Sequence, residues 1–144
     1  MSCGPPLVYK KKEIGDLLLK YPTTNDVILV NQKLANAYGF KRAVIQFGNL
    51  DFCVYSMMDV QEMTNLKDTI IRKAAMVCTC LIVSHCFYDG NKRTAFEIMR
   101  SFLTWNNVEL KRYDLQDTLD MLTAVSAGTA GENAISSWLV RNVR

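Results

Sequence analysis

Long apolar runs, Cys-x-x-Cys spacings, a large surplus of one charge and more than a single histidine are all missing from this chain. The most continuous apolar stretch, Ala74 to Val83, is about half of the ~20 residues a bilayer span requires. Residues 1–20 lack the apolar h-region of a signal peptide, so the expectation is a cytoplasmic chain with no membrane contact. Lys and Arg number 17 against 14 Asp and Glu, a balance of +3 too mild to imply nucleic acid or an acidic membrane as partner. The Lys10–Lys11–Lys12 run has no interleaved aromatic platform and reads as a solvated segment. Cys3, Cys53, Cys78, Cys80 and Cys86 are an odd set without Cys-x-x-Cys spacing, and reduced thiols are the expectation. With His85 as the one histidine, a structural zinc site lacks ligands; Cys78 and Cys80 read as small apolar side chains in a buried helix.

What is present is enough apolar material for one core. The chain has 144 residues, 49% of them hydrophobic, which fits one compact domain and excludes a disordered tail or several domains. No repeat or low-complexity tract appears, so periodicity carries the structural signal. After a head with Pro5 and Pro6, Ile14 to Lys20 reads as a short turn or helix that Pro22 ends. Thr23 and Asp26 have capping-box spacing; Val27, Val30, Leu34 and Tyr38 share a face, and Gly39 follows, predicting a helix over 24–38. Residues 43–58 have no 3.6 period and place a Gly48–Asn49 turn between β-favouring runs, predicting an irregular hairpin or flap. A central buried helix is predicted from Leu66 onward through Ile70, Ile71, Ala74, Ala75, Cys78, Leu81 and Ile82. Ala95, Ile98, Met99, Phe102 and Leu103 predict a second, ended by Asn106–Asn107. Asp114 and Gly128 bracket another, and a last one begins near Asn133 and carries Ile135, Trp138 and Leu139. An all-α orthogonal bundle with a short extended flap or hairpin is therefore the expected architecture.

Between the two strongest helices lies His85-Cys86-Phe87-Tyr88-Asp89-Gly90-Asn91-Lys92-Arg93-Thr94-Ala95. Singly these residues are bland: a histidine at a helix end is commonly a cap, Asp-Gly an ordinary turn, Lys-Arg a solvated pair. Together they gather a base, a hard-metal ligand and anion binders. Gly90 lets the backbone curl, and the amides of Gly90 to Arg93 open the next helix, so unpaired N–H groups and the positive dipole end converge where a phosphate would sit. Lys92 and Arg93 add cationic donors, Asp89 is suited to hold magnesium bridging phosphate oxygens, and His85 is placed to take a proton from an attacking hydroxyl. A P-loop is excluded, because the earlier glycine, the Gly-Lys-Ser/Thr order and a preceding strand are lacking.

The segment resembles the signature of the Fic/Doc family, His-x-Phe-x-Asp-Gly-Asn-Lys-Arg-Thr-Ala, with nine of eleven positions fixed. Its Asn91-Lys92-Arg93-Thr94-Ala95 end is most similar to the Doc (death on curing) toxins. Fainter likeness spans residues 24–144, through the Gly48-to-Met58 stretch where the family has its flap and through Ala127-Gly128, Gly131-Glu132 and Trp138-Leu139. The resemblance implies a Fic/Doc domain over residues 23–144 behind an N-terminal extension of 1–22. It further implies that part of a nucleoside triphosphate, ATP with Mg2+, is transferred to a protein hydroxyl. Carried over, His85 would be the general base, Asp89 the magnesium ligand, Gly90 and Asn91 the phosphate nest, and Lys92 and Arg93 the clamps. Gly48, Asn49, Leu50, Asp51 and Phe52 would form a flap whose strand edge docks the target.

Two departures narrow this. Adenylyltransferases of the family read Gly-Asn-Gly-Arg with a second Arg three residues later, whereas here Lys92 and Phe96 occupy those places. The Doc branch shares both features and is associated with kinase activity, so the resemblance points to γ-phosphoryl transfer to a translation factor, elongation factor Tu. AMP transfer and a catalytically silent Fic-fold interaction module are the alternatives; intact His85, Asp89, Asn91 and Arg93 speak against the silent one. The inhibitory Ser/Thr-x-x-x-Glu-Gly/Asn pattern is absent, since Thr129 to Glu132 is one residue too short and Gly128 stands at the required place. Inhibition is thus expected from a separate antitoxin chain.

Overall fold

The computed structural model describes residues 11–14, 17–60, 63 and 65–144. Cys3, Pro5, Pro6 and Lys10, on which expectations were placed, lie outside them, as do the side chains of Lys11 and Lys12. Two short strands, β1 (Lys11–Ile14) and β2 (Leu17–Lys20), precede six helices. These are α1 (Thr24–Tyr38), α2 (Phe47–Asp59), α3 (Leu66–Val83), α4 (Asn91–Trp105), α5 (Leu115–Ala127) and α6 (Glu132–Asn142). The all-α expectation holds. Among the described residues no helix is long and apolar enough to cross a membrane.

α3 is the axis of the bundle and packs against α2, α4, α5 and α6, while α1 lies on α4 and α2. Its buried Ile70, Ala74, Val77, Cys78, Leu81 and Ile82 form the apolar stripe that the 3.6 period demands. One charged residue is buried on the same helix. Lys73 is fully buried, and its Nζ donates to Met57 O at 2.8 Å and Val60 O at 3.2 Å. An ammonium is tolerated there because it meets the carbonyl end of α2, where the dipole is negative.

The local start and stop signals act as expected. Thr23 caps α1 with a complete capping box to Asp26, and Gly39 ends the helix in the left-handed conformation. Asp114 accepts from Asp117 N–H at the start of α5, and Gly128 closes it.

Three expectations are overturned. Ile14 to Lys20 is strand where described, not helix or turn: β1 and β2 pair antiparallel, Lys11 opposite Lys20 and Ile14 opposite Leu17. Leu19 and Tyr21 are buried and Lys20 between them exposed, a period of two. Asn106 fastens β2 to the end of α4, accepting from Lys20 N–H and donating to Lys20 O, both at 2.9 Å.

The flap over Gly48–Met58 is also overturned, because those residues are the body of α2. Leu50, Cys53, Val54 and Met57 are its buried face and stand at i, i+3, i+4 and i+7, a helical stripe masked by β-favouring Phe52 and Tyr55, both exposed. Gln46 at the N-cap makes no side-chain bond, so no start signal announced the helix.

Finally, Cys53 and Cys80 form a disulfide that ties α2 to α3, contrary to the expectation of reduced thiols. Cys78 and Cys86 are free and buried. Desolvation pushes the Cys78 thiol up to about 12 and Cys86 up to about 11, so both are inert, neutral packing groups near neutral pH.

Candidate functional site

α3 runs out at Ser84, and His85 takes a left-handed turn, φ 50°. Glycine or asparagine usually fills that place, and a histidine held there is strained in the way functional positions often are. Its side chain is exposed. Cys86 and Phe87 then plunge into the core, whereas Tyr88 and Asp89 face solvent.

The loop is held on every side by hydrogen bonds. The extended segment 43–46 lies along it: Ile45 N–H and Gln46 N–H donate to Cys86 O at 2.9 and 3.2 Å, and Tyr88 N–H donates to Ala43 O at 2.9 Å. The Asn91 side chain spans the loop from within, accepting Phe87 N–H at 3.0 Å and donating to Phe87 O at 2.9 Å. Asn31 of α1, buried, donates from Nδ2 to Asp89 O and to Thr94 Oγ1, each at 3.1 Å. Asn49 of α2 donates to Ser84 O at 3.0 Å, next to His85.

Gly90 is the N-cap of α4 with φ 76°. A Cβ there would be strained by that φ and would strike the Phe40 ring, 2.6 Å from Cε1; only glycine permits both the turn and the close approach. A left-handed residue followed by the first turn of a helix aims successive N–H groups into one concavity, an anion nest. The first amides of α4 have no intrahelical acceptor and open onto it. Gly90 N–H is already engaged by Asp89 Oδ1 at 2.7 Å, which leaves the second Asp89 oxygen for a cation.

All six residues singled out in the motif, His85, Asp89, Gly90, Asn91, Lys92 and Arg93, line one open cleft of about 260 Å³, together with Tyr88 and Ser126. A second cavity of about 310 Å³ adjoins it across Lys92 and Arg93, with Tyr38, Phe96, Tyr113 and Leu119 among its walls. Phe96 sits edge-on to Tyr113 and Trp138, ring centroids 5.7 Å apart in both pairs.

Of the expected flap, Asn49 bonds to Ser84 O beside His85, and Phe52 is exposed on α2; the extended segment beside the loop is 43–46, just before α2. The motif also gave no hint of Asn31, Phe40, Tyr38 or Ser126, since each lies elsewhere in the chain and meets the loop, the cleft or the second cavity only through packing.

The stretch of chain that builds this cleft falls within a known family. A family model described as Fic/DOC family matches residues 21–103, more than half of the chain. The chain belongs to the Fic/DOC family. That match begins at the buried Tyr21 and covers α1 to most of α4, hence the whole loop from Ser84 to Arg93. Membership carries with it, at the level of the family, a transferase that moves a nucleotide-derived group onto proteins. No curated protein matches the chain.

Proposed function

We propose that this Fic/DOC protein is of the Doc type and transfers the γ-phosphoryl group of ATP to a hydroxyl of a protein target. The observation that carries the reading is Phe96. Where adenylyltransferases of the family place a second arginine, this chain has a ring locked in a cluster with Tyr113 and Trp138 and lining an apolar cavity contiguous with the nest. A cation at that position would seat the outer phosphates of a nucleotide whose α-phosphorus faces the nucleophile. An apolar wall favours the opposite direction, with the γ-phosphoryl in the nest and the nucleoside end toward the cavity. Lys92 in place of the small residue adds bulk and charge at the same point.

Each residue then has one task. The nest amides at the start of α4 and the Lys92 and Arg93 side chains offset the phosphate charge. Asp89 fits magnesium, since that ion usually keeps several waters and takes one or two carboxylates together with phosphate oxygens; when bound it neutralises charge on the transferring group. His85 accepts the proton as the target oxygen bonds to the γ-phosphorus and the bond from phosphorus to the bridging oxygen of ADP breaks. ADP leaves with the electron pair. By resemblance the target is a translation factor, elongation factor Tu, and inhibition is the work of an antitoxin chain in trans.

Intact mass of the factor after incubation with Mg-ATP is the test. The expected increment is one phosphate, lost by about 10²–10⁴-fold in rate in His85→Ala. An increment of AMP would refute the kinase reading in favour of the adenylyltransferase one. Full activity in His85→Ala would refute the assigned base.

A further inference from the structure

Arg93 is held by an aromatic face, not by a carboxylate. Its guanidinium carbon lies 3.9 Å from the centroid of the Tyr38 ring. Glu97, one turn further along α4, pairs instead with Arg100 at 3.6 Å, and among the described residues no carboxylate is in ion-pair range of Arg93. The difference matters chemically. A carboxylate would occupy two of the five N–H donors and neutralise the charge, whereas a ring under the guanidinium fixes its plane and leaves the in-plane donors and the charge available.

The backbone that carries the ring is well anchored. Tyr38 is the last residue of α1, Gly39 turns left-handed immediately after it, and Phe40 is seated against Gly90. Two turns earlier Asn31 is bonded to Asp89 O and Thr94 Oγ1. The end of α1 therefore braces the loop and the start of α4 at three points, and the Tyr38 backbone is fixed relative to the helix start that carries Arg93. Arg93 stands on the partition between the cleft and the second cavity, lining both.

We propose that Tyr38 is a positioning residue that acts through Arg93, holding the guanidinium flat for the phosphates of the nucleotide. The inference rests on the reading of the cleft as a nucleotide site and adds to it a residue outside the motif. Removing the ring frees Arg93 to sample other rotamers, so affinity falls while the reacting groups stay in place.

The experiment is titration calorimetry with Mg-ATP on the full chain, alongside steady-state transfer. Tyr38→Ala should raise the Mg-ATP Kd and KM by about two- to fivefold, the range of an exposed cation–π contact, with kcat within about twofold. Tyr38→Phe and Tyr38→Trp should restore the wild-type Kd. In an Arg93→Ala background, Tyr38→Ala should have no further effect. Because Tyr38 is 59% exposed, its truncation should leave the urea midpoint close to that of the wild type. An unchanged Kd in Tyr38→Ala, an equal loss in the Arg93→Ala background, or failure of Tyr38→Phe to restore affinity would each overturn the proposal. A wild-type chain that binds no Mg-ATP would overturn the nucleotide reading and this inference with it, whereas binding indifferent to Tyr38 overturns the inference alone.

Discussion

Gly90→Ala tests the construction of the nest directly, because two independent penalties meet at one Cα. The first is conformational. At φ 76° an L-residue meets a steric cost of about 1–2 kcal/mol that no neighbour relieves. The second is a collision of the new Cβ with Phe40, 2.6 Å from Cε1, and closer still to Cζ. Phe40 is only half-buried, so its ring yields by rotating, and overpacking of this kind costs about 1 kcal/mol, the lower end of its range. The sum is about 2–3 kcal/mol, read as a lower urea midpoint at constant slope. Phe40→Ala in the Gly90→Ala background removes the collision but not the backbone term. Against Phe40→Ala alone, the second mutation should therefore cost only about 1–2 kcal/mol. A Gly90→Ala chain within about 0.5 kcal/mol of wild type would refute the left-handed nest. An undiminished cost in the Phe40→Ala background would refute the Phe40 contact.

Three further outcomes follow from contacts elsewhere. Asn31→Ala removes both bonds to the loop, leaving Asp89 O and the buried Thr94 hydroxyl without that donor. Stability should fall by about 1–3 kcal/mol in urea unfolding, and an unchanged midpoint would count against the brace from α1. Reduction of Cys53–Cys80, 27 residues apart, should cost about 3–4 kcal/mol by the loop-entropy relation. Alkylation in denaturant should label both sulfurs only after reductant is added, and labelling without reductant would show them to be thiols. Cys78 and Cys86 stay protonated in the fold up to about 12 and about 11, above the ordinary 9.0. The unfolded chain therefore binds fewer protons from about pH 9 upward, and stability contributed by these thiols, complete below pH 9, is lost as pH rises toward 12. Cys78→Ala should show a shallower loss in urea titrations between pH 8 and pH 10, and parallel curves would contradict the burial.

The sequence by itself determined what depends on near neighbours in the chain. Thr23, Asp26 and Gly39 bound α1, and Asp114 and Gly128 bound α5, because a cap is a bond between residues three or four apart. The candidate motif was readable for the same reason: His85 to Gly90 is the loop between two helices, Asn91 to Arg93 open the second, and the nest is made by the conformation of consecutive residues. Tertiary structure decided the rest. The α2 stripe of Leu50, Cys53, Val54 and Met57 carries no capping signal, and the helix gains its identity from the apolar face of α3 on which it packs. Once α2 is a helix, Cys53 meets Cys80, a pairing no spacing rule contains. β1 and β2 are placed by Asn106, 86 residues beyond Lys20. Asn31 reaches Asp89 across 58 residues and Thr94 across 63, and Tyr38 reaches Arg93 only because α1 lies along α4. Such contacts form when burial of apolar faces has already fixed the helices relative to one another, and no local pattern records that event.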